Sequence, residues 1–138
     1  MVCRVKVKVR VKDRVVETRA LVNSGFEADA PDIAIPTNIA RQLNLWPPRT
    51  NITAILDTGG GEVVNPYYEN CGILELILDD RENIRIKVNI IVNPHIDEIA
   101  LSDYVSSLLG IVLLDIKEGL WRLKDDPRKK LGLKTVLT

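Results

Sequence analysis

Arg19-Ala20-Leu21-Val22-Asn23-Ser24-Gly25-Phe26 is the stretch on which the reading of this chain turns. Apolar residues run into a short polar bend closed by glycine, the pattern of a strand that ends by presenting one side chain at a tight turn. The side chain presented is an amide. A second triplet of the same form, Asp57-Thr58-Gly59, carries a carboxylate, but it continues into Gly60 and Gly61 as the loop of a hairpin does. Which triplet occupies the functional centre decides what the protein does.

Upstream, Val5, Val7, Val9 and Val11 alternate with Lys6, Lys8, Arg10 and Lys12, a two-residue period that predicts a half-buried strand. Lys12-Asp13-Arg14 reads as a polar turn, and residues 15–22 return antiparallel to deliver Asn23 at their end. The basic row is read as a solvated strand face whose charges discourage edge pairing, against the competing reading of a nucleic-acid groove.

Downstream, residues 31–35 form a short strand, and Pro36-Thr37-Asn38 opens a helix through Ile39, Ala40 and Leu43 that Pro47-Pro48 stops, with Trp46 anchoring its end. Residues 52–56 and 62–64 are the arms of a glycine-rich hairpin. Residues 72–78 and 84–92 are two further strands around a solvated turn, Asp79-Asp80-Arg81-Glu82-Asn83. Ile99-Ala100-Leu101 leads to Ser102, a good helix N-cap, with the helix ending near Gly110 and a strand over residues 119–123. The domain is expected to span residues 1–124. Residues 125–138, with Pro127 and Arg128-Lys129-Lys130, read as a loosely held basic tail.

An internal repeat links these parts. Val22-Asn23, a loop, then Ile35-Pro36 and the first helix parallel Val92-Asn93, a loop, then Leu101-Ser102 and the second helix, with apolar matches at 39/105, 43/109 and 45/111. This predicts two halves related by a pseudo-twofold.

The order of parts resembles the retropepsins, the single-domain, homodimeric aspartic proteases of retroviruses and related cellular proteins. Ala20-Leu21-Val22-Asn23-Ser24-Gly25 is similar to the family's catalytic loop of two hydrophobic residues followed by Asp-Thr/Ser-Gly. The segment from Ala54 through Asp57, Thr58, Gly59, Gly60 and Gly61 to Val64 falls where the family keeps its flap. Val92-Asn93-Pro94 and Ile99-Ala100-Leu101-Ser102 fall at its second crossing loop, Ser102 replacing a glycine. The likeness covers residues 4–124. It implies a mainly β fold, a closed acid-protease barrel with one or two short helices and a flap. It also implies a homodimer built around one loop per chain, a peptide or protein ligand, no cofactor and no metal. Asn23, Ser24 and Gly25 then hold the catalytic position, and Asp57, Thr58, Gly59, Gly60, Gly61, Asp29 and Ala30 line the ligand.

Composition narrows the alternatives. A chain of 138 residues, 46% apolar and 28% charged, suits one domain with a core of its own. Nineteen basic residues balance nineteen acidic ones, which removes the usual electrostatic reason to expect nucleic acid or an anionic membrane as partner. No apolar run is long enough to span a bilayer, and Cys3 and Cys71 form no paired motif, so a cytoplasmic protein with free thiols is expected. His95 is the one histidine, too few for a zinc site of several imidazoles. Gly59-Gly60-Gly61 lacks the following Lys-Ser/Thr of a phosphate loop.

Asn23 sets the activity expected. In the resemblance, two aspartates, one from each subunit, share a proton and activate water. An amide accepts no proton near neutral pH and carries no charge, so the chain as written is expected not to cleave. Three readings remain: a peptidase if residue 23 is aspartate, a pseudoenzyme that holds peptide, or a structural, oligomerising barrel. Asp57 is read as a hairpin residue, because no helix separates it from the strands that follow.

Overall fold

The computed structural model describes residues 3–23, 25–58, 61–126 and 130–131, with backbone alone at 56–58, 61 and 130–131. The chain opens with the expected hairpin, β1 (Arg4–Val11) and β2 (Arg14–Val22), in register from Arg4 opposite Leu21 to Val11 opposite Arg14. Val5, Val7, Val9 and Val11 are at most 5% exposed, so the apolar face of the alternation points inward as predicted. β3 (Asp32–Ile35), α1 (Thr37–Gln42), β4 (Thr53–Thr58), β5 (Gly61–Leu76) and β6 (Ile84–Val92) follow. Then come β7 (Ile99–Leu101), α2 (Asp103–Leu108), β8 (Ile111–Asp115), β9 (Leu120–Leu123) and β10 (Lys130–Leu131). No helix among the described residues is long and apolar enough to cross a membrane.

The fold is mainly β. Strands β1, β2, β7, β3, β6 and β5 are hydrogen-bonded in that order, and β5 pairs back onto β1 to close a six-stranded mixed barrel. Val7, Val9, Ile33, Ile35, Leu74, Leu76, Ile90 and Leu101 fill it at no measurable exposure. Each such side chain contributes about 1.5–3 kcal/mol of burial relative to exposure. The β4 strand lies outside the barrel, paired with the first part of β5, and β8, β9 and β10 form a separate small sheet.

Three elements differ from expectation. β5 is one strand of 16 residues, not two separated pieces. Residues 65–71 carry no strand in the sequence reading, but Pro66 sits opposite Thr53 in the hairpin, and a bulge between Tyr68 and Gly72, with Asn70 at φ 51, absorbs the irregularity. β8 was not anticipated. Its residues do not alternate in burial but grow more exposed from Ile111 to Asp115, and pairing with β9 rather than intrinsic pattern makes it a strand. Finally, α1 ends before the prolines. Asn44 takes a left-handed conformation at φ 61, and the Leu45 and Asn44 amides donate to Ala40 and Arg41 carbonyls, a Schellman closure.

The internal repeat is real in the backbone. β2 and β3 are consecutive in the chain yet are separated in the sheet by β7, and β6 and β7 are separated by β3. Val22 pairs in parallel with Leu101, and Val92 in parallel with Ile35. Between them β3 and β7 run antiparallel, with Ala34 opposite Ala100 at the centre. Both helices continue the symmetry: Asn44 and Gly110, equivalent positions just past their ends, are both left-handed, at φ 61 and 77.

Gly72 marks where this closure is tightest. A Cβ there would lie 3.2 Å from the Arg10 carbonyl oxygen and 3.1 Å from Ile90 Cδ1, and backbone on β1 cannot yield as a side chain can. Gly72→Ala is expected to lower unfolding free energy by about 1–3 kcal/mol, measured by urea denaturation. An unchanged midpoint would show that the barrel closes more loosely there.

Candidate functional site

Five hydrogen bonds hold the Asn23 turn and the loop that leaves it. The Asn23 amide donates to the Leu101 carbonyl at 3.4 Å, and the Phe26 amide returns to the Asn23 carbonyl at 3.1 Å. Asn23 Oδ1 accepts from the Gly25 amide at 3.0 Å, an Asx turn. The descending limb is fixed by the first residue of α2: the Asp103 amide donates to the Phe26 carbonyl at 2.8 Å, and Asp103 Oδ1 accepts from the Ala28 amide at 3.0 Å. Ser102 caps that helix as expected, its Oγ accepting from the Val105 amide at 3.2 Å.

A second turn repeats this geometry. The Asn93 amide donates to the Ile35 carbonyl at 2.9 Å, Asn93 Oδ1 accepts from the His95 amide at 3.0 Å, and the Ile96 amide donates to the Asn93 carbonyl at 3.4 Å. The two turns differ in exposure. Asn93 is buried at 8%, whereas Asn23 is half-buried and its side-chain Nδ2 has no hydrogen-bond partner among the described residues. Of the pair, the Asn23 turn has the more exposed side chain.

Outside the barrel wall lies a small apolar cluster. Ala34, Ala100 and Ile91 form its floor on β3, β7 and β6, and Phe26, Ile96, Ala54 and Tyr67 pack around them. The cluster therefore joins both turns to the β4–β5 hairpin. Tyr67 is pinned by a polar chain: its hydroxyl donates to Asp32 Oδ1 at 2.9 Å, Asn89 Nδ2 donates to the same oxygen at 2.9 Å, and Asn89 Oδ1 accepts from the Asn70 amide at 2.8 Å. Partial burial, then the bond to Asp32 and the charge of that carboxylate, push the Tyr67 phenol up to about 12.

One polar group in this region is left over. Asn65 is 1% exposed, and among the described residues its Nδ2 has no hydrogen-bond partner. It stands opposite Ala54 and two residues before Tyr67, so the alternation of a strand puts it on the hairpin face turned to the cluster. A buried donor left unpaired costs about 1–3 kcal/mol.

The remaining sequence-derived positions are distributed unevenly. Asp29 is exposed and Ala30 half-buried on the loop after Asn23, with the Ala30 carbonyl accepting from the Asp32 amide at 2.7 Å. Asp57 and Thr58 lie at the end of β4, opposite Glu62 and Gly61, so these two residues belong to the hairpin and not to a turn packed on a helix. Ser24, Gly59 and Gly60 lie outside the described residues. Sequence reasoning did not single out Asp32, Tyr67, Asn89, Asn65 or Asp103. Only Asp103 had a local signal, its place beside the Ser102 cap. Among the described residues no three His, Cys, Asp or Glu side chains converge as a metal ion would need. Comparison of the sequence with protein-family models and with curated proteins returns no match.

Two measurements probe this geometry. Asn23→Ala removes the acceptor for the Gly25 amide and is expected to cost about 0.5–1.5 kcal/mol in denaturant unfolding, whereas Asn23→Asp, which keeps an acceptor, costs less. In alkaline titration followed at 295 nm, Tyr67→Phe is expected to remove a tyrosinate phase near pH 12. The neutral phenol is the form the fold favours, so its stabilisation is complete below pH 10 and is lost as pH rises from 10 to about 12. A late phase that persists in the variant would show that Asp32 does not hold this hydroxyl.

Proposed function

We propose that this protein is a retropepsin-like homodimer that binds an extended peptide and, with Asn23 in the catalytic position, holds it without cutting it. The observation that carries this reading is the Asn23 turn itself: a tightly hydrogen-bonded bend that delivers one polar side chain beside an apolar floor. The order of elements supports it too. A hairpin, a turn, a strand, a helix, a second hairpin, a second turn and a second helix follow one another as they do in the resemblance.

In this reading the β4–β5 hairpin is the flap, and the peptide lies between it and the floor of Ala34, Ile91 and Ala100. Its main chain pairs with strand edges, and its side chains sit in the pockets around Phe26 and Ile96. Asp29 and Ala30 flank it on the loop after the turn, and Asp57, Thr58 and Gly61 cover it from the hairpin. Asp57 serves as a hairpin residue and not as a base.

A second copy of the chain is required. The two turns within one chain start from Leu101 and Ile35, at opposite ends of the β3–β7 pairing, so the internal symmetry does not bring Asn23 and Asn93 face to face. Apolar surface for a partner is available beside the exposed turn. Tyr104 and Leu108, one helical turn apart on α2, are 40% and 51% exposed, and the neighbouring Asp103 is the residue that holds the loop.

The absence of cleavage follows from the amide. A positioned acid or base is worth about 10²–10⁴ in rate, and a symmetric dimer lacks both members at once. The turn nevertheless suits a carboxylate, because the Gly25 amide that now meets Asn23 Oδ1 would donate equally to an aspartate and favour its ionised form. The native protein is expected to retain peptides from a mixed library without hydrolysing them, and Asn23→Asp to hydrolyse them between about pH 3 and 7. Stable monomers in sedimentation would sink the proposal, as would native cleavage that Asp57→Asn abolishes.

A further inference from the structure

Asn65 is out of place by the rules that shape the rest of β5. Asparagine is disfavoured within strands, and a buried apolar residue of the same shape would serve the hairpin at least as well. Its surroundings explain why it finds no partner. On the same face, Tyr67 already gives its hydroxyl to Asp32, and Ala54 across the hairpin offers no polar side-chain atom. Free-chain stability thus gives no reason for the amide.

We propose that Asn65 is a ligand-reading residue whose Nδ2 donates to a main-chain carbonyl of the bound peptide; this rests on the peptide-binding reading above. The unpaired atom is a donor, so its complement is an acceptor. That acceptor is neutral. Asn65 stands opposite Ala54 and two residues from Tyr67, both packed against the apolar cluster of Ala34, Ile91 and Ala100, and an apolar setting penalises a carboxylate, as does the negative charge of Asp32 bonded to Tyr67. A peptide main chain presents such a neutral carbonyl at every residue.

Position supports the same assignment. Asn65 lies at the base of the hairpin, between the floor and the strand arm that would cover a ligand, and it is shut against its neighbours in the free chain. A ligand reaches it when the hairpin lifts from the floor. The bond of Tyr67 to Asp32 holds the base of the hairpin, so the arm lifts from that point outward, and on its outer face Ile55 and Val64, opposite each other, are 63% and 61% exposed.

The test uses the full chain, its Asn65→Leu variant, which keeps the side-chain shape without the donor, and Asn65→Ser, which restores a donor. Each is incubated with a random library of acetylated, amidated decapeptides, and the retained peptides are identified by mass spectrometry. The dissociation constant of the best-retained peptide is then measured, together with analogues in which one amide at a time becomes an ester, a weaker carbonyl acceptor. Asn65→Leu is expected to melt at the same or a higher temperature than the native protein and to bind about tenfold more weakly, with Asn65→Ser recovering part of the loss. One ester position should weaken binding to the native chain and have no effect on Asn65→Leu. Equal affinity of native and Asn65→Leu proteins, or a lower melting temperature for Asn65→Leu, overturns the assignment and leaves the peptide-binding reading standing. Failure of the native chain to retain any peptide overturns both.

Discussion

The interlock of β2, β7, β3 and β6 is the constraint on which the remaining structure depends. Each half of the chain supplies a strand that is completed by the other half: Val22 needs Leu101, and Val92 needs Ile35. The turns that follow are anchored the same way, Asn23 on the Leu101 carbonyl and Asn93 on the Ile35 carbonyl. Neither turn has its geometry until residues far apart in sequence have met, and the loop-closure entropy of that meeting is offset by the burial of Ile33, Ile35, Ile99 and Leu101. The site is therefore as ordered as the barrel that carries it.

Within that frame, the fold and the chemistry ask different things of residue 23. The fold asks for a side-chain oxygen to receive the Gly25 amide, which asparagine and aspartate both provide. Proton transfer asks for a group that ionises, which only aspartate provides. A single amide can thus silence the proposed chemistry while leaving the turn intact. The polar chain of Asp32, Tyr67 and Asn89 has a complementary role: it fixes the base of the hairpin over the apolar floor and so keeps the neighbouring Asn65 amide without a partner.

Some features could be read before any coordinates because their physics is local. The valine–cation alternation of β1, the Ser102 cap and the left-handed Gly110 depend on neighbours a few residues away. Even the pseudo-twofold left a trace, since equivalent turns need the same Asx chemistry and equivalent helices the same buried positions. Features that depend on distant partners left none. Pro66 and Asn70 look like the end of a strand unless the bulge against β6 is known, and the bonds from Asp32 to Tyr67 and Asn89 join residues 35 and 57 positions apart.

By itself, the amino-acid order determined that this is a mainly β chain with two short helices, where its first hairpin turns, and that residue 23 presents an amide rather than an acid. These follow from side-chain periodicity, capping and functional-group identity, which are properties of short segments. Tertiary structure decided that the barrel closes through β5 onto β1, that the Asn23 turn is the open member of a related pair, and that Asp57 belongs to a hairpin. It also decided that Asn65 is buried and that its Nδ2 has no partner among the described residues. Exposure and hydrogen-bond satisfaction are set by what packs against a residue from elsewhere in the chain, and no short segment contains that information.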